Sequence, residues 1–433
     1  MTTKSFDAFL TRVTEQMKSK EGKHLVQKEL YSHLQQSKKA NMRAGYSDEE
    51  AEVNAISRMG DPVQLGRKMN KLHRPLIDWW MLALVGGLFL LSFVPFLLVD
   101  IQAMRVETQL FSVLLSFICI MGLMFFDFRH LIIRWKWFLA LAAAYILLFL
   151  VGSLFNMPFI YNVYGLEKLY LFGLRIPHQW FIFFLFIGLV GFLAFARITS
   201  FKKTWPLFMS IWSPVFLLGN DLGPFLTLLH LVVSFMLIIF SSLNRELKSH
   251  FLWVNAVISG AFVILLLLFM RPHHYDRIYA VLRMDSGGSS WIYERLTDII
   301  VASSWFGQKD MSWITTIPDI HTITALAIVI YYGGWLLTGL LMLIFMAIVI
   351  RFFWLFIQLQ YEPGRLLLVG GIVIIFFPFL YNTLMIFGLL PYTGVNFPIL
   401  SYGGAEKVFY SVIIGLMLSV YRRKLFLQKG ALR

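Results

Sequence analysis

One carboxylate, Asp221, stands between two long apolar runs with only glycine, leucine and asparagine beside it. At the centre of a membrane-spanning helix, such a charge costs about 2.5–3.5 kcal/mol on insertion scales. The charge is tolerated where it faces a water-filled cavity, a cation or the N-terminal ends of helices. Aspartate is also a preferred N-cap residue. From the sequence, Asp221 is therefore either a site residue or the cap of the next helix.

A second stretch that could do chemistry is the polar and aromatic segment 271–322, which opens with Arg271 and Arg277. Segments of more than about 12–15 residues without regular structure are uncommon unless they are functional. The planar guanidinium group binds phosphate oxygens through two parallel hydrogen bonds. Arg271 and Arg277 are therefore candidates for holding a headgroup such as a pyrophosphate, or for contacting anionic lipid.

The third stretch is residues 388–404, which we call the strip; it holds four glycines and two prolines among aromatic and hydroxyl side chains. Proline removes a backbone donor and glycine weakens a helix, so the strip cannot continue a membrane helix. Irregular backbone survives at membrane depth only where it is buried in protein or lines a cavity. We therefore predict that the strip re-enters the membrane and lines a binding pocket.

Membrane-spanning helices are the elements that must position these residues. The chain of 433 residues is 58% hydrophobic and 14% charged, against about 25% charged in ordinary soluble domains. The single cysteine, Cys119, excludes a disulfide framework and a cysteine metal site. We predict an all-α, polytopic membrane protein whose eighth span tilts or breaks at Gly333-Gly334. The ten predicted spans are 77–99, 109–126, 137–155, 179–196, 205–218, 224–242, 251–270, 323–350, 366–388 and 406–421.

The basic residues orient these spans, because cytoplasmic loops carry the excess of Lys and Arg. The loops 127–136, 197–204, 243–250, 351–365 and 422–433 hold 15 Lys/Arg in 53 residues, and the alternate loops hold 8 in 106. Both termini are therefore predicted to be cytoplasmic, with the three stretches above on the outer side. The net charge of +14 then favours membrane lipids as partners, and not nucleic acid.

Residues 1–74 form a polar unit ahead of the membrane domain at 75–433, with 14 Lys/Arg and 9 Asp/Glu. They lack the short apolar core of a cleaved signal peptide, so we expect the first span to insert as an internal signal. Ser47 with Glu50 predicts a capping box, and Asp61-Pro62 predicts the start of a further helix.

Residues 24–72 of this unit resemble the permease-prefix, or HAAS-like, module found before some bacterial membrane proteins. Gly60 within it is expected to end a helix in the left-handed conformation. The resemblance implies a cytoplasmic helical domain with a regulatory or docking role and no chemistry of its own.

The strip resembles the G-L-L-P-x-T-G-x-x-x-P-x-x-S-Y-G-G signature of the SEDS family (shape, elongation, division and sporulation), which includes FtsW, RodA and SpoVE. Asn382, just upstream of the strip, also resembles the residue that the family has at this place. Gly219–Gly223 keeps the Asp-Leu-Gly of the family's Q-P-D-L-G, and Tyr275–Ile278 resembles the opening of its outer loop. The resemblance covers about residues 77–425 and agrees with the family's ten spans.

This resemblance implies a bacterial cell-membrane protein that polymerises lipid II, an undecaprenyl-linked precursor, beside a class B penicillin-binding transpeptidase. Such a protein acts in peptidoglycan synthesis, during cell elongation, division or sporulation. The reaction needs a base for the acceptor hydroxyl and cations for the pyrophosphate. A divalent cation could accompany the pyrophosphate, and no metal site of protein side chains is expected. The implied substrate-binding residues are Asp221, Arg271, Arg277, His321, Asn382, Pro391, Thr393, Gly394, Pro398, Ser401, Tyr402, Gly403 and Gly404.

The chain departs from the family where the family's essential carboxylate should stand. Pro318–Leu326 aligns with the family's P-E-x-H-T-D-F-I-F, and its aspartate position is Ile323. Isoleucine can neither accept a proton nor coordinate a cation. Tyr331-Tyr332 also replaces a following pair of glutamates. The resemblance therefore implies a SEDS protein with impaired or no glycosyltransferase activity.

Two alternatives stay open from the sequence. The carboxylate could have moved to Asp319, about one helical turn before Ile323, or to Glu406 at the outer end of the last span. The chain would then be an active lipid II glycosyltransferase. It could also transport a lipid-linked precursor, because a wet cavity beside Asp221 would serve transport as well.

Overall fold

The computed structural model describes residues 3–72, 76–98, 104–163, 166–171, 174–196, 198, 200–269, 279–281, 290–308, 317, 319–425 and 427. The chain separates into two compact units. One comprises residues 1–77 with 421–433, and the other comprises residues 78–420.

The first unit begins with four helices around a small apolar core. Ser47 Oγ accepts a hydrogen bond from the Glu50 N–H, and the Glu50 carboxylate accepts one from the Ser47 N–H, so the predicted capping box is confirmed. Asp61 accepts from the N–H groups of Val63 and Gln64, both at 3.2 Å, as expected of a cap. The helices are α1 (Thr3–Glu15), α2 (Lys20–Arg43), α3 (Asp48–Met59) and α4 (Pro62–Leu72).

Helix α1 supplies much of this core, although its sequence was not predicted as a helix. Its buried residues are Phe6, Phe9, Leu10 and Val13. They pack with Leu30 and Leu34 of α2, whereas Met42, near the end of α2, is 46% exposed. Gly60 has the expected positive φ of 76°, but its ψ of −160° is extended and not left-handed helical.

The second unit is built from apolar helices, which confirms the predicted all-α polytopic fold. Among the residues described, seven helices are long and apolar enough to cross a membrane, and Gln179–Phe195 and Trp205–Leu218 are shorter apolar helices. From residue 79 onward the helices are α5 (Trp79–Leu91), α6 (Val94–Leu98), α7 (Val106–Phe125), α8 (Phe128–Ile133), α9 (Trp135–Leu154), α10 (Gln179–Phe195), α11 (Trp205–Phe240), α12 (Arg245–Phe269), α13 (Trp291–Ala302), α14 (Ala325–Ile328), α15 (Gly334–Gln358), α16 (Glu362–Ile386) and α17 (Gly404–Arg422).

The chain reverses inside α11. Gly223 has non-helical angles, with φ 75° and ψ 161°. His230, after the turn, hydrogen-bonds through Nε2 to the carbonyl of Ile211, before it, at 3.1 Å. In a continuous helix these residues would lie about 28 Å apart at 1.5 Å per residue. The two halves of α11 are therefore the separate fifth and sixth spans that the sequence predicts, and Asp221 stands just before the turn.

The eighth span breaks where Gly333-Gly334 predicts it. A π-helical turn at Val329–Gly333 separates α14 from α15, and Gly334 has φ 76°. Segment 303–308, which follows α13, lies in the break. The N–H groups of Trp335, Leu336 and Gln308 donate to the carbonyls of Ser304, Trp305 and Tyr331 at 3.0–3.2 Å. The outer segment thus satisfies backbone groups that the broken helix leaves free.

The connection between α9 and α10 contains a small antiparallel sheet that the sequence did not lead us to predict. Its strands are β1 (Ile160–Val163), β2 (Leu166–Leu171) and β3 (Leu174–Ile176), in the order β1-β2-β3. Tyr161 pairs with Lys168, and Tyr170 pairs with Arg175. Each strand is at most six residues long, so apolar periodicity over a spanning window does not reveal the sheet.

Candidate functional site

Asn382 joins the strip to the segment that precedes the eighth span. It is fully buried in α16, and its Nδ2 donates to the carbonyl of Ile323 at 2.8 Å and to that of Val395 at 2.7 Å. One side-chain amide therefore binds two segments that lie about 70 residues apart in sequence. The irregular backbone at 319–324 and at 388–404 is held in register by this contact.

A second set of hydrogen bonds runs along the same boundary. Ser401 Oγ donates to the carbonyl of Thr322 at 2.7 Å, and the Tyr402 N–H donates to the carbonyl of His321 at 2.9 Å. The His321 ring meets the Tyr402 ring edge-on, with 5.7 Å between centroids. The structure thus brings His321, Asn382, Ser401 and Tyr402 together. This is the arrangement expected if these four residues form one wall of a binding pocket, which we call the pocket wall.

The backbone is strained on both sides of this boundary. Asp319 has φ 51° and Ile399 has φ 68°. Positive φ is uncommon for residues other than glycine, and for a β-branched residue such as Ile399 it is a genuine outlier. Such strain persists only where the surroundings enforce it, and it clusters at functional sites. Both positions lie in the segments that Asn382 joins.

The beginning of the strip is anchored by tyrosines. Tyr381 Oη donates to the carbonyl of Pro391 at 3.1 Å. The Tyr392 N–H donates to Tyr293 Oη at 2.6 Å, which ties the strip to α13. Among the other predicted residues, Pro398 is buried, Gly394 is exposed, and Gly403 and Gly404 lead into α17.

The two carboxylates offered as substitutes for the missing aspartate lie in different surroundings. Glu406 is half-buried and accepts hydrogen bonds from Asn396 Nδ2 at 2.6 Å and Gln179 Nε2 at 3.3 Å, so it links α17 to the strip and to α10. Asp319 is exposed, and its carbonyl accepts the N–H groups of Thr322 and Thr324 at 2.9 and 3.4 Å. Asp319 therefore has the more available carboxylate.

Ile323, which the sequence resemblance aligns with the family's carboxylate, lies beside Asn382. It offers its carbonyl to Asn382, and its side chain is only partly buried. Tyr331, which the resemblance aligns with the first of the two glutamates, is buried, and its Oη donates to Gln308 Oε1 at 3.5 Å. The two aligned positions thus carry an apolar and an aromatic side chain.

Three buried side-chain atoms at the site have no hydrogen-bond partner in the described part of the chain. They are Asn382 Oδ1, Thr393 Oγ1 and Asn396 Oδ1. Buried polar atoms are nearly always hydrogen-bonded, and an exception calls for a bound group or water. Two amide oxygens and a hydroxyl suit a ligand that presents hydroxyl or amide donors.

Some predicted site residues lie outside the described part of the chain. These are Arg271 and Arg277, together with the side chain of Asp221. In the ranges that are described, no three His, Cys, Asp or Glu side chains come together as metal ligands would. The sequence analysis also did not single out Gln109 and Lys407, which are buried and bonded to each other. The sequence feature that could have identified Lys407 is its position as a lysine at the start of the last apolar run.

The chain has relatives in sequence. It is 26% identical over 244 residues to the peptidoglycan glycosyltransferase MrdB of Escherichia coli K12, over 53% of this chain and 63% of that protein. It is 25% identical over 239 residues to a probable peptidoglycan glycosyltransferase FtsW of Helicobacter pylori, over 50% of this chain and 60% of that protein. The chain therefore spans less than two-thirds of the length of either relative. No family model matches it.

Solved structures share the fold. A chain from a peptidoglycan synthase complex that coordinates polymerization and crosslinking superposes with a TM-score of 0.66 at 20% identity, over 80% of this chain and 98% of that one. The rod shape determining protein RodA of Thermus thermophilus gives a TM-score of 0.56 at 19% identity, over 80% of this chain and 97% of that one. The chain is therefore similar in sequence to MrdB and FtsW proteins over about half of its length, and it shares the fold of RodA.

Proposed function

We propose that this chain is a SEDS-type protein of peptidoglycan synthesis that binds an undecaprenyl-linked precursor such as lipid II and polymerises it weakly or not at all. The observation that carries this proposal is Ile323. It occupies the family's carboxylate position inside an otherwise ordered site, bonded through its backbone to Asn382. The site residues proposed to bind the precursor are Asp221, Arg271, Arg277, His321, Asn382, Pro391, Thr393, Gly394, Pro398, Ser401, Tyr402, Gly403 and Gly404.

The pocket wall suits a lipid-carried sugar. The free oxygens of Asn382 and Asn396 can accept hydrogen bonds from sugar hydroxyl or N-acetyl N–H groups. The exposed part of the Tyr402 ring offers an apolar face beside them. The sequence relatives are named as peptidoglycan glycosyltransferases, which supports a role in the same process.

Loss of the carboxylate argues against efficient turnover. A positioned general base contributes typically 10²–10⁴-fold to a rate, and it must come within about 3 Å of the proton that it takes. The side chain of Ile323 has no atom that can take this proton. A protein that keeps the pocket and lacks the base would bind precursor, and would act on cell shape, division or sporulation through its partners.

The proposed setting is the bacterial cell membrane, with both termini in the cytoplasm and the strip at the outer face. A class B penicillin-binding transpeptidase is the proposed protein partner, since one structural neighbour belongs to a complex for polymerization and crosslinking. A divalent cation is proposed to accompany the pyrophosphate of the precursor. Residues 1–74 are proposed to be a cytoplasmic module of the permease-prefix type that docks regulatory partners.

The test is polymerisation of purified lipid II by the full-length protein, with and without a transpeptidase partner, read as glycan strands on a gel. We expect few or no strands from the wild type in either case. If Ile323→Asp produces strands, the remainder of the site is intact and the missing carboxylate is the cause. Robust strands from the wild type would refute the proposed loss of activity.

Relocation of the carboxylate is the second candidate, favoured by the exposed side chain of Asp319 in its strained turn. It predicts wild-type strands that Asp319→Asn abolishes. Glu406→Gln is the matched comparison, because Glu406 is already held by two amide groups. If Glu406→Gln and not Asp319→Asn abolished the strands, Glu406 would be the relocated base.

A further inference from the structure

Lys407 is a buried lysine at the start of α17. Its side chain is 1% exposed, and its Nζ donates to Gln109 Oε1 at 2.6 Å, which is as short as a charge-assisted hydrogen bond. Among the side chains that the structure places, no carboxylate lies within the 4.0 Å of an ion pair. Fully buried lysines are very rare unless they are paired. An ionisable residue inside a membrane span usually has a function.

The groups around Lys407 do not neutralise it. The carboxylate of the adjacent Glu406 is turned to Asn396 and Gln179 instead. Gln109 Nε2 donates to both Ser92 O and Ser92 Oγ at 3.0 Å, which leaves its carbonyl oxygen for Lys407. The hydrogen-bond partner of the ammonium group is therefore a neutral amide, and its positive charge has no counterion among the residues that the structure describes.

This cation lies beside the pocket wall. The Arg105 N–H, one helical turn before Gln109, donates to Tyr402 Oη at 3.3 Å. The Phe96 ring packs against the Tyr402 ring at 5.7 Å between centroids. Lys407 itself follows Tyr402 by five residues, across the start of α17. The bond between Lys407 and Gln109 therefore joins the segment that follows Tyr402 to the segment that contacts the Tyr402 hydroxyl.

We propose that Lys407 is the residue that makes this site prefer a ligand with a phosphate or pyrophosphate headgroup. The inference rests on the proposed function and adds to it the group that selects the charge of the ligand. A charge in a low-dielectric interior acts over a longer distance than it does in water. Lys407 is buried, so it acts through its field and through the position of Tyr402, without touching the ligand. An anion bound beside Tyr402 supplies the countercharge that the described part of the chain does not provide for Lys407.

The test compares two lipids that differ in charge, undecaprenyl pyrophosphate and undecaprenol, binding to the full-length protein in nanodiscs. The dissociation constants are measured for the wild type, Lys407→Met and Lys407→Arg. We expect Lys407→Met to weaken binding of the pyrophosphate about tenfold, the size of one partly screened charge interaction. Binding of undecaprenol should not change. Lys407→Arg should keep the preference, because it keeps the charge.

The matched control is Ser116→Ala. Ser116 is fully buried in α7, and its Oγ has no hydrogen-bond partner within the described ranges. Its removal should change neither dissociation constant. If Lys407→Met does not fold, Lys407→Gln takes its place, since its amide can still donate to Gln109 while the charge is lost. Lys407→Gln should lose the preference for the pyrophosphate in the same way.

A purely structural role predicts a different pattern. If Lys407→Met, or its replacement Lys407→Gln, weakens both lipids equally or leaves both unchanged, the proposal is wrong. It is also wrong if the wild type binds neither lipid or shows no preference. If the wild type shows the Lys407-dependent preference but does not bind lipid II, the proposed function fails and this inference stands. If lipid II binds but the preference does not depend on Lys407, only this inference fails.

Discussion

At the residue scale, the side-chain amide of Asn382 holds the site together. Replacing Asn382 with leucine keeps the branched outline of the side chain but removes the donor to the carbonyls of Ile323 and Val395. An unsatisfied buried acceptor costs about 1–3 kcal/mol, so Asn382→Leu should destabilise the protein by about 2 kcal/mol or more. Thermal unfolding in detergent measures the loss as a lower midpoint.

The matched control for this prediction is the next residue of the same helix. Thr383 Oγ1 donates to the carbonyl of Phe379 within α16 at 2.8 Å. Thr383→Val removes that bond without separating two chain segments, so its midpoint should stay close to that of the wild type. Equal stability of Asn382→Leu and Thr383→Val would show that the two segments are held by other contacts.

The sequence identifies residue types at the site better than it identifies their partners. The glycines and prolines of the strip show that no helix can run there, and Asn382 is similar to the family's residue. The bonds from Asn382 to Ile323 and from Asn396 to Glu406 depend on tertiary packing, which no local pattern encodes. Lys407 and Gln109 are missed for the same reason. A lysine in an apolar run is unusual only if its side chain is buried, and burial depends on tertiary packing.

At the element scale, the close contact between segment 303–308 and the broken eighth span depends on Gly307. It has φ 84°, and a Cβ there would lie 2.1 Å from the carbonyl oxygen of Tyr332. Gly307→Ala therefore forces the segment out of the break and exposes the backbone groups of Trp335 and Leu336. Overpacking costs about 1–3 kcal/mol. We expect faster cleavage by added protease at residues 303–308.

Gly339 in α15 is the control for Gly307. No atom lies within 4 Å of a Cβ built there, and alanine is a better helix former than glycine by about 1 kcal/mol. Gly339→Ala should therefore be neutral or stabilising, with unchanged protease cleavage. If Gly307→Ala behaved in the same way, segment 303–308 would not be seated in the break.

In the first unit, the capping box of α3 can be tested through amide hydrogen exchange. Loss of an N-cap hydroxyl costs about 1 kcal/mol, so Ser47→Ala should speed exchange of the first-turn amides of α3 several-fold. Ser57→Ala is the control, because the Ser57 hydroxyl donates to Asn54 within the same helix and is exposed. Equal exchange in Ser47→Ala and Ser57→Ala would mean that the box adds no stability.

The carboxylate half of the box gives a pH dependence. The Ser47 hydroxyl and then the Ser47 N–H lower the pKa of Glu50 below its usual value. A carboxylate with a lowered folded pKa adds stability above its unfolded pKa, about 4.3, and loses it as the pH falls through the folded value. Exchange in α3 should therefore be faster in Glu50→Gln than in the wild type at pH 7. The two should converge in acid, and a difference that persisted there would contradict the assignment.

Elements with a strong local signal were predicted well. Apolar length gave the spans, Gly223 and Gly333-Gly334 marked the turn and the break, and Ser47 with Glu50 marked the start of α3. Helix α1 was missed although its signal is local, because Phe6, Phe9, Leu10 and Val13 follow the i, i+3, i+4, i+7 spacing of an amphipathic helix. The sheet at 160–176 was missed because its strands are too short for periodicity to distinguish them from a loop.

At the scale of the whole molecule, the orientation of the chain is a prediction from charge. In a Cys119→Ala background, a single cysteine at Tyr161, exposed in β1, should react with a membrane-impermeant maleimide added to intact spheroplasts. A single cysteine at Ser57, exposed in α3, should react only after lysis. The reverse pattern would place the strip in the cytoplasm, and the proposed encounter with an outer-face precursor would fail.

The architecture of the whole molecule was predictable because membrane insertion is governed by the length of apolar segments and by basic loops. Both features can be read from short stretches of the sequence. The candidate site is different, since the segments at 319–324 and 388–404 meet only when the helices have packed. The sequence could show that both segments are irregular and, through the resemblance, that Ile323 aligns with the family's aspartate. It could not show that the carbonyl of Ile323 accepts a hydrogen bond from Asn382.

The most direct test of the central claim is photo-crosslinking of the full-length protein with lipid II that carries a photoreactive group on its sugar, mapped by mass spectrometry. The pocket predicts adducts within 319–324 and 388–404, reduced by unlabelled lipid II, with no glycan strands formed in the same sample. Adducts elsewhere on the protein, or none that unlabelled lipid II reduces, would contradict a precursor-binding site between these two segments.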